Sequence, residues 1–166
     1  MNRKFKLPVG NFVRITSALT IALMVIMPVV LFFVLPNEQD FLVLPVAGLG
    51  ILILLGSYGF APLSVSLEPG KLLVHHPMHT RTYLISSAKV EVVDRKSLLP
   101  YMRTFGNGGL FAFTGHFRNS KLGKFRYHSR KRSDGTLFSL DNGTKVVIGL
   151  PFLGAWQQAV ERETKV

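Results

Sequence analysis

Two stretches of this chain carry no charge at all, and beyond them apolar and polar positions alternate. Residues 15–37 and 41–67 contain no Asp, Glu, Lys or Arg. A helix that crosses a bilayer needs ~20 mostly apolar residues, at ~1.5 Å of rise each. Residues 15–35 break their apolar run only with Thr16, Ser17, Thr20 and Pro28, and residues 41–60 are rich in Leu, Val, Ile and Gly. Neither run has a period of two, so the pattern predicts helices and not barrel strands. The link Pro36-Asn37-Glu38-Gln39-Asp40 is long enough to reverse the chain. The expectation is an antiparallel two-helix transmembrane hairpin over 15–60, with spans at about 15–35 and 41–60. Pro28 should kink the first span, whereas Pro45 falls in the first turn of the second, where proline is tolerated. Gly48, Gly50, Gly56 and Gly59 give the second span small faces. A cleaved signal peptide fits less well, because the first run exceeds the ~7–15 residues of a signal core and no small-x-small site comes after it.

From residue 61 the period changes. Leu63, Val65 and Leu67 alternate with Ser64 and Ser66, as in a half-buried strand. Glu68-Pro69-Gly70-Lys71 has turn chemistry, and residues 72–76 read as the returning strand. Residues 80–85 and 89–94 are two further strands, and residues 95–105 are poorly patterned. Phe111, Phe113 and Phe117 then share one face of a strand, which predicts core, and 124–128 is a basic strand. Residues 136–140 and 144–150 flank Asp141-Asn142-Gly143, a strong hairpin signal. Phe152, Leu153, Trp156, Ala159 and Val160 mark one helix face behind Pro151. The prediction for 61–166 is an all-β barrel or curled sandwich of about seven strands, capped by a C-terminal helix at 152–163.

Composition sharpens this division. The chain has 166 residues, 48% hydrophobic and 17% charged, with mean hydropathy +0.30. That charged share lies below the ~25% of ordinary soluble domains and is far from a disordered basic tail. The absence of cysteine excludes disulfides, cysteine-based metal sites and thiol catalysis. The net charge of +11 divides into +4 over residues 1–14, −2 over 15–60 and +9 over 61–166. Positive flanks stay on the cytoplasmic side, so both termini should be cytoplasmic, with 1–14 a basic arm.

Strands and a capping helix in this order resemble the pleckstrin-homology-like (PH-like) barrel. The segment Arg103-Thr104-Phe105-Gly106-Asn107-Gly108-Gly109-Leu110-Phe111, followed by Gly115-x-Phe117 and Leu122-Gly123-Lys124-Phe125, resembles a family of bacterial PH-domain membrane proteins. Those proteins also carry two spans before the barrel. The resemblance covers nearly the whole chain. It implies a bacterial inner-membrane, multi-pass protein whose barrel binds lipids, peptides or proteins and is not an enzyme.

Three features carry candidate binding chemistry. Residues 118–132 hold seven bases and no acid: Arg118, Lys121, Lys124, Arg126, Arg130, Lys131 and Arg132. Beside a membrane each base is worth roughly 1 kcal/mol toward anionic head groups. The plainer reading is a solvated strand edge, where lysine also discourages edge pairing. Interleaved Phe125 and Tyr127 permit nucleic acid as a third and weakest reading. Gly106, Asn107, Gly108 and Gly109 could present backbone N–H groups to an anion, with Arg103 beside them, although a tight turn explains the glycines better. No phosphate-loop or dinucleotide signature surrounds them. His75, His76 and His79 lack acids at ligand spacing, and adjacent His75 and His76 should face opposite sides of a strand. No metal or cofactor is expected. The acids form no pairing with a histidine, and Asp134 and Asp141 suit turns. The sequence therefore points to a membrane-anchored module acting by protein interaction or oligomerisation, with anionic-lipid sensing through residues 118–132 as the alternative.

Overall fold

A computed structural model describes residues 3–34, 41, 43–68, 70–85 and 88–150. Strand β1 (Arg3–Lys6) precedes helices α1 (Asn11–Val34) and α2 (Val43–Gly59). Then come β2 (Ser64–Glu68), β3 (Lys71–His75), β4 (Thr80–Leu84), β5 (Lys89–Val93), the short α3 (Arg95–Leu98), and β6 (Met102–Gly108). The order ends with β7 (Phe113–Asn119), β8 (Gly123–Ser129), β9 (Gly135–Ser139) and β10 (Lys145–Ile148).

Helix α1 has 24 residues, about 36 Å at 1.5 Å per residue, and is long and apolar enough to cross a membrane. Two of its hydroxyls bond back to the helix's own carbonyls. Thr16 and Thr20 donate to the carbonyls of Phe12 and Thr16, each at 2.8 Å. Helix α2 is apolar but shorter, at 17 residues. It packs on α1 where a side chain at Gly50 would come within 3.1 Å of Met24 Sδ. Leu19, Leu23, Phe33, Leu44 and Leu52 each stay more than half exposed. Chain direction is set at the roots: β1 leads into α1, α2 leads into β2, and β1 pairs antiparallel with β2. So α1 leaves the β domain and α2 returns to it.

The strands form two sheets among the described residues, in the orders β1-β2-β3-β4 and β5-β9-β10-β8-β7-β6. All pairings are antiparallel except β10 with β8. Between the sheets lie Val65, Leu67, Leu72, Val74 and Tyr83 from the first and Phe138, Val146 and Ile148 from the second. The other face of the six-stranded sheet carries Phe113, Phe117, Phe125, Tyr127 and Val147, covered by Val13 of α1 and Leu98 of α3. The middle strands of that sheet, β8, β9 and β10, are therefore buried on both sides.

Several expectations change. The sheets do not close into a barrel, because consecutive β4 and β5 belong to different sheets. The basic arm is not a free tail: Phe5 pairs with Val65, and Arg3–Lys6 is an edge strand. The basic strand 124–128 is no edge, since β8 lies between β10 and β7. The poorly patterned 95–105 holds α3 and the start of β6. Helix α3 is capped from afar, the Arg95 N–H donating to Asp134 Oδ1 at 2.7 Å. Asp134 thus ties two segments together beyond any local turn. Phe113 and Phe117 are core as expected, but Phe111 precedes β7 and takes a positive φ of 62°. The proposed helix at 152–163 lies outside the described residues.

Candidate functional site

Where the end of α2 meets both sheets, the surface folds into a cavity of about 570 Å³. Its polar wall is a product of strand alternation. On β4, Thr80, Thr82 and Leu84 are exposed, so Arg81 and Tyr83 face inward. On β7, Phe113 and Phe117 fill the core behind the sheet, so Thr114 and His116 face forward. On β8, Phe125 and Tyr127 likewise turn back, and His128 comes forward with no exposed surface. The segment between β3 and β4 adds His76 and His79. β6 contributes Arg103, Phe105, Gly106 and Asn107, and the apolar wall is Leu110 with Gly56, Ser57 and Phe60 at the end of α2.

The histidines form one connected group. The rings of His76 and His79 stack at 4.3 Å with 5° between planes, and His79 abuts Phe60 at 5.2 Å. His76 meets His128 edge-on at 5.6 Å. His128 is held from behind by Tyr83 Oη on its Nε2 at 2.8 Å and by Thr114 Oγ1 on its Nδ1 at 3.3 Å. The Arg126 guanidinium lies 5.9 Å from the Tyr83 ring centre. His76 is 8% exposed, and its Nδ1 closes no hydrogen bond, although the nearby Val74 and His79 carbonyls favour its charged form. His75 points the other way, as expected, to Ser66 Oγ and Thr80 Oγ1.

No Asp or Glu is among the described residues lining the cavity. Burial, then the charge of His79, lowers the His76 pKa to about 4. Burial holds His128 well below the usual histidine range, with His76 and Arg81 adding to it. Desolvation lowers His116, helped by Arg126 and Arg81. The cavity therefore combines the charges of Arg81 and Arg103 with neutral imidazoles and no carboxylate among its described lining residues, an arrangement that attracts an anion. Among the described residues no three His, Asp or Glu are arranged to hold a metal ion.

The residues singled out from sequence separate. Arg103, Gly106 and Asn107 line the cavity. Gly108 and Gly109 do not line it, and the Gly109 N–H is already used within the chain. Asn107 Oδ1 accepts from the N–H groups of Gly109 at 3.3 Å and Leu110 at 3.1 Å, while Asn107 Nδ2 donates to the Leu110 carbonyl. The Gly109 N–H also reaches the Ala112 carbonyl at 2.9 Å. Gly106, Asn107 and Gly108 lie in strand β6, paired with Gly115, Thr114 and Phe113, and only Gly109 lies past its end. Arg126 stands behind the pocket beside His116 and His128.

Arg130, Lys131 and Arg132 belong to the base of α1. Arg130 Nε donates to the Phe111 carbonyl at 3.4 Å, Lys131 packs on Gly10, and the Arg132 guanidinium sits 3.8 Å over the Phe12 ring. Arg118, Lys121 and Lys124 sit at the other end of the β7–β8 hairpin, where Arg118 pairs with Lys124. That end lies about 20 Å from Phe113 at 3.3 Å per residue. The seven bases do not form one patch.

Sequence reasoning missed Arg81, Thr114 and His116 in the cavity wall and His128 behind it, and it weighed His76 and His79 only as metal ligands. One signal was present: Arg81 occupies the inward phase of a strand whose next inward residue is Tyr83. No protein family, curated protein or solved structure matches this chain.

Proposed function

We propose that the protein is a membrane-anchored binding module whose β domain holds an anionic ligand at the membrane surface. One observation carries the reading: a cavity lined by Arg81, Arg103, His76, His79 and His116, with no carboxylate among its described lining residues. Support for the anchor comes from α1, which is long and apolar enough to cross a bilayer, and from the apolar α2 returning beside it. In this reading the two helices form the transmembrane hairpin, and the positive charge of both flanks keeps the β domain cytoplasmic. The PH-like resemblance is consistent with a binding role and no catalysis. The test is thermal unfolding of the full-length protein in neutral detergent with added inorganic phosphate. The midpoint should rise with phosphate, and Arg81→Gln combined with Arg103→Gln should remove the rise. An equal rise in the double variant refutes the site.

A second reading, a protein-interaction or oligomerisation module, draws on β6. It is an edge strand, and Met102 and Phe105 on it are 73% and 75% exposed. Met102→Glu, outside the cavity lining, should then abolish self-association of the full-length protein in sedimentation while leaving phosphate binding in place.

A further inference from the structure

The cavity lining is chemically mixed. Arg81, Arg103 and His76 share it with Gly56 and Phe60 from the end of α2. The α2 side does not stop at the cavity. Gly48, Leu52, Gly56 and Phe60 recur every four residues, so they trace one stripe along and just past the helix. A side chain added at Gly48 or Gly56 would meet nothing within 4 Å among the described residues, and Leu52 is 67% exposed. The result is an exposed apolar stripe along α2 that meets the cavity at Gly56. Glycines alone would mean little. Here they adjoin a preformed cavity lined by Arg81, Arg103 and His76, the last more than nine-tenths buried and with no hydrogen-bond partner for its Nδ1 among the described residues.

A small soluble anion would satisfy the arginines and leave the α2 wall facing water. A molecule with an anionic head and a hydrocarbon chain satisfies both. The volume of about 570 Å³ accommodates the head and the start of a chain. The rest of the chain would lie along the stripe, in the layer that the exposed apolar flanks of α1 and α2 already require. We infer that the occupant of this pocket is an anionic amphiphile that enters sideways from the bilayer, with its head on Arg81 and Arg103 and its chain along Gly48, Leu52, Gly56 and Phe60 of α2. This rests on the proposed anion-binding role of the cavity.

The test uses the full-length chain in neutral detergent and native mass spectrometry with three probes: phosphatidylglycerol, phosphatidylcholine and glycerol 3-phosphate. One phosphatidylglycerol should be retained per chain, in preference to phosphatidylcholine. Arg81→Gln with Arg103→Gln should weaken retention at least about tenfold, as expected for losing charge-assisted hydrogen bonds. Gly48→Leu, outside the cavity lining, should obstruct the stripe and weaken the lipid about tenfold while leaving glycerol 3-phosphate unchanged. Leu52→Ser repeats this test by removing an apolar contact should Gly48→Leu fail to fold. If glycerol 3-phosphate binds as tightly as the lipid, the amphiphile is refuted and the anion pocket stands. Loss of both probes from the wild-type protein refutes both. Lipid retention that ignores the arginine and α2 substitutions places the lipid elsewhere and overturns the inference.

Discussion

Gly106 and Gly115 stand opposite each other across β6 and β7, both at positive φ, 113° and 126°. A side chain on Gly106 would lie 2.2 Å from the Thr114 carbonyl oxygen, and one on Gly115 the same distance from that of Phe105. Both contacts are to backbone, so neither can be relieved by turning a side chain. Gly106→Ala or Gly115→Ala should force the strands apart and cost about 2–3 kcal/mol. Gly143→Ala is the comparison. It shares a positive φ of 76° but faces open space, so only the left-handed backbone cost of about 1 kcal/mol applies. Denaturant titration of the three variants checks the order. Equal costs would mean that β6 and β7 are not held this close.

Stability should fall on acidification because His76 and His128 resist protonation in the folded state. His76 titrates near 4 when folded, against 6.5 in the unfolded chain, and His128 is lowered as well. Between those values the unfolded state binds more protons, so stability is full above about 6.5 and declines as pH falls toward 4. Among the described residues, the charged and titratable groups acting on these rings are His79, Arg81 and Arg126 besides each other, none of them negative. Phosphate in the cavity would favour the imidazolium form, so its affinity should rise over the same window. Unfolding midpoints at pH 7.5 and pH 5, with and without phosphate, test both signs. A phosphate-free midpoint that rises at pH 5 contradicts the buried neutral histidines.

The loop between β6 and β7 is clamped to the helices through Phe111. Its N–H donates to Ser17 Oγ at 2.8 Å, and its ring meets Tyr58 edge-on at 5.6 Å. Ser17→Ala should strand that N–H and cost about 1–2 kcal/mol. Hydrogen exchange at residues 109–112 should speed up in this variant and recover in Ser17→Thr. Unchanged exchange would show that the loop is held by its own turn.

Charge reversal separates the two ends of the basic stretch. Glu at Arg118, Lys121 and Lys124 together should leave phosphate binding intact and shift stability by only about 0.5 kcal/mol per site. Arg132→Ala removes the guanidinium over Phe12 and should cost about 1 kcal/mol. Loss of phosphate binding in the triple variant would move the anion site to the hairpin tip.

Local pattern made most strands legible, and position in the sheets hid the rest. Leu63 to Leu67 announced β2, and Asp141-Asn142-Gly143 announced the β9–β10 turn, because alternation and turn chemistry act over a few residues. β1 was invisible: Arg3-Lys4-Phe5-Lys6 has a single apolar residue, and it is a strand because its partner β2 lies beyond both helices. β6 was obscured by its glycines, which read as loop until β7 supplies the facing Gly115. The site shared this difficulty. Arg103, Gly106 and Asn107 stood out as a motif, whereas His76, Arg81, His116 and His128 come together only through the pairing of β7 with β8 and the docking of one sheet on the other.

The pairing of β1 with β2 also sets an order of events during synthesis. Arg3 must find Leu67, and the residues between include both helices. The first strand made therefore waits, unpaired, until α1 and α2 have been produced and the chain has come back. A ribosome stalled anywhere before residue 64 leaves that edge without its neighbour, so the four-stranded sheet records that the helical segment has been completed.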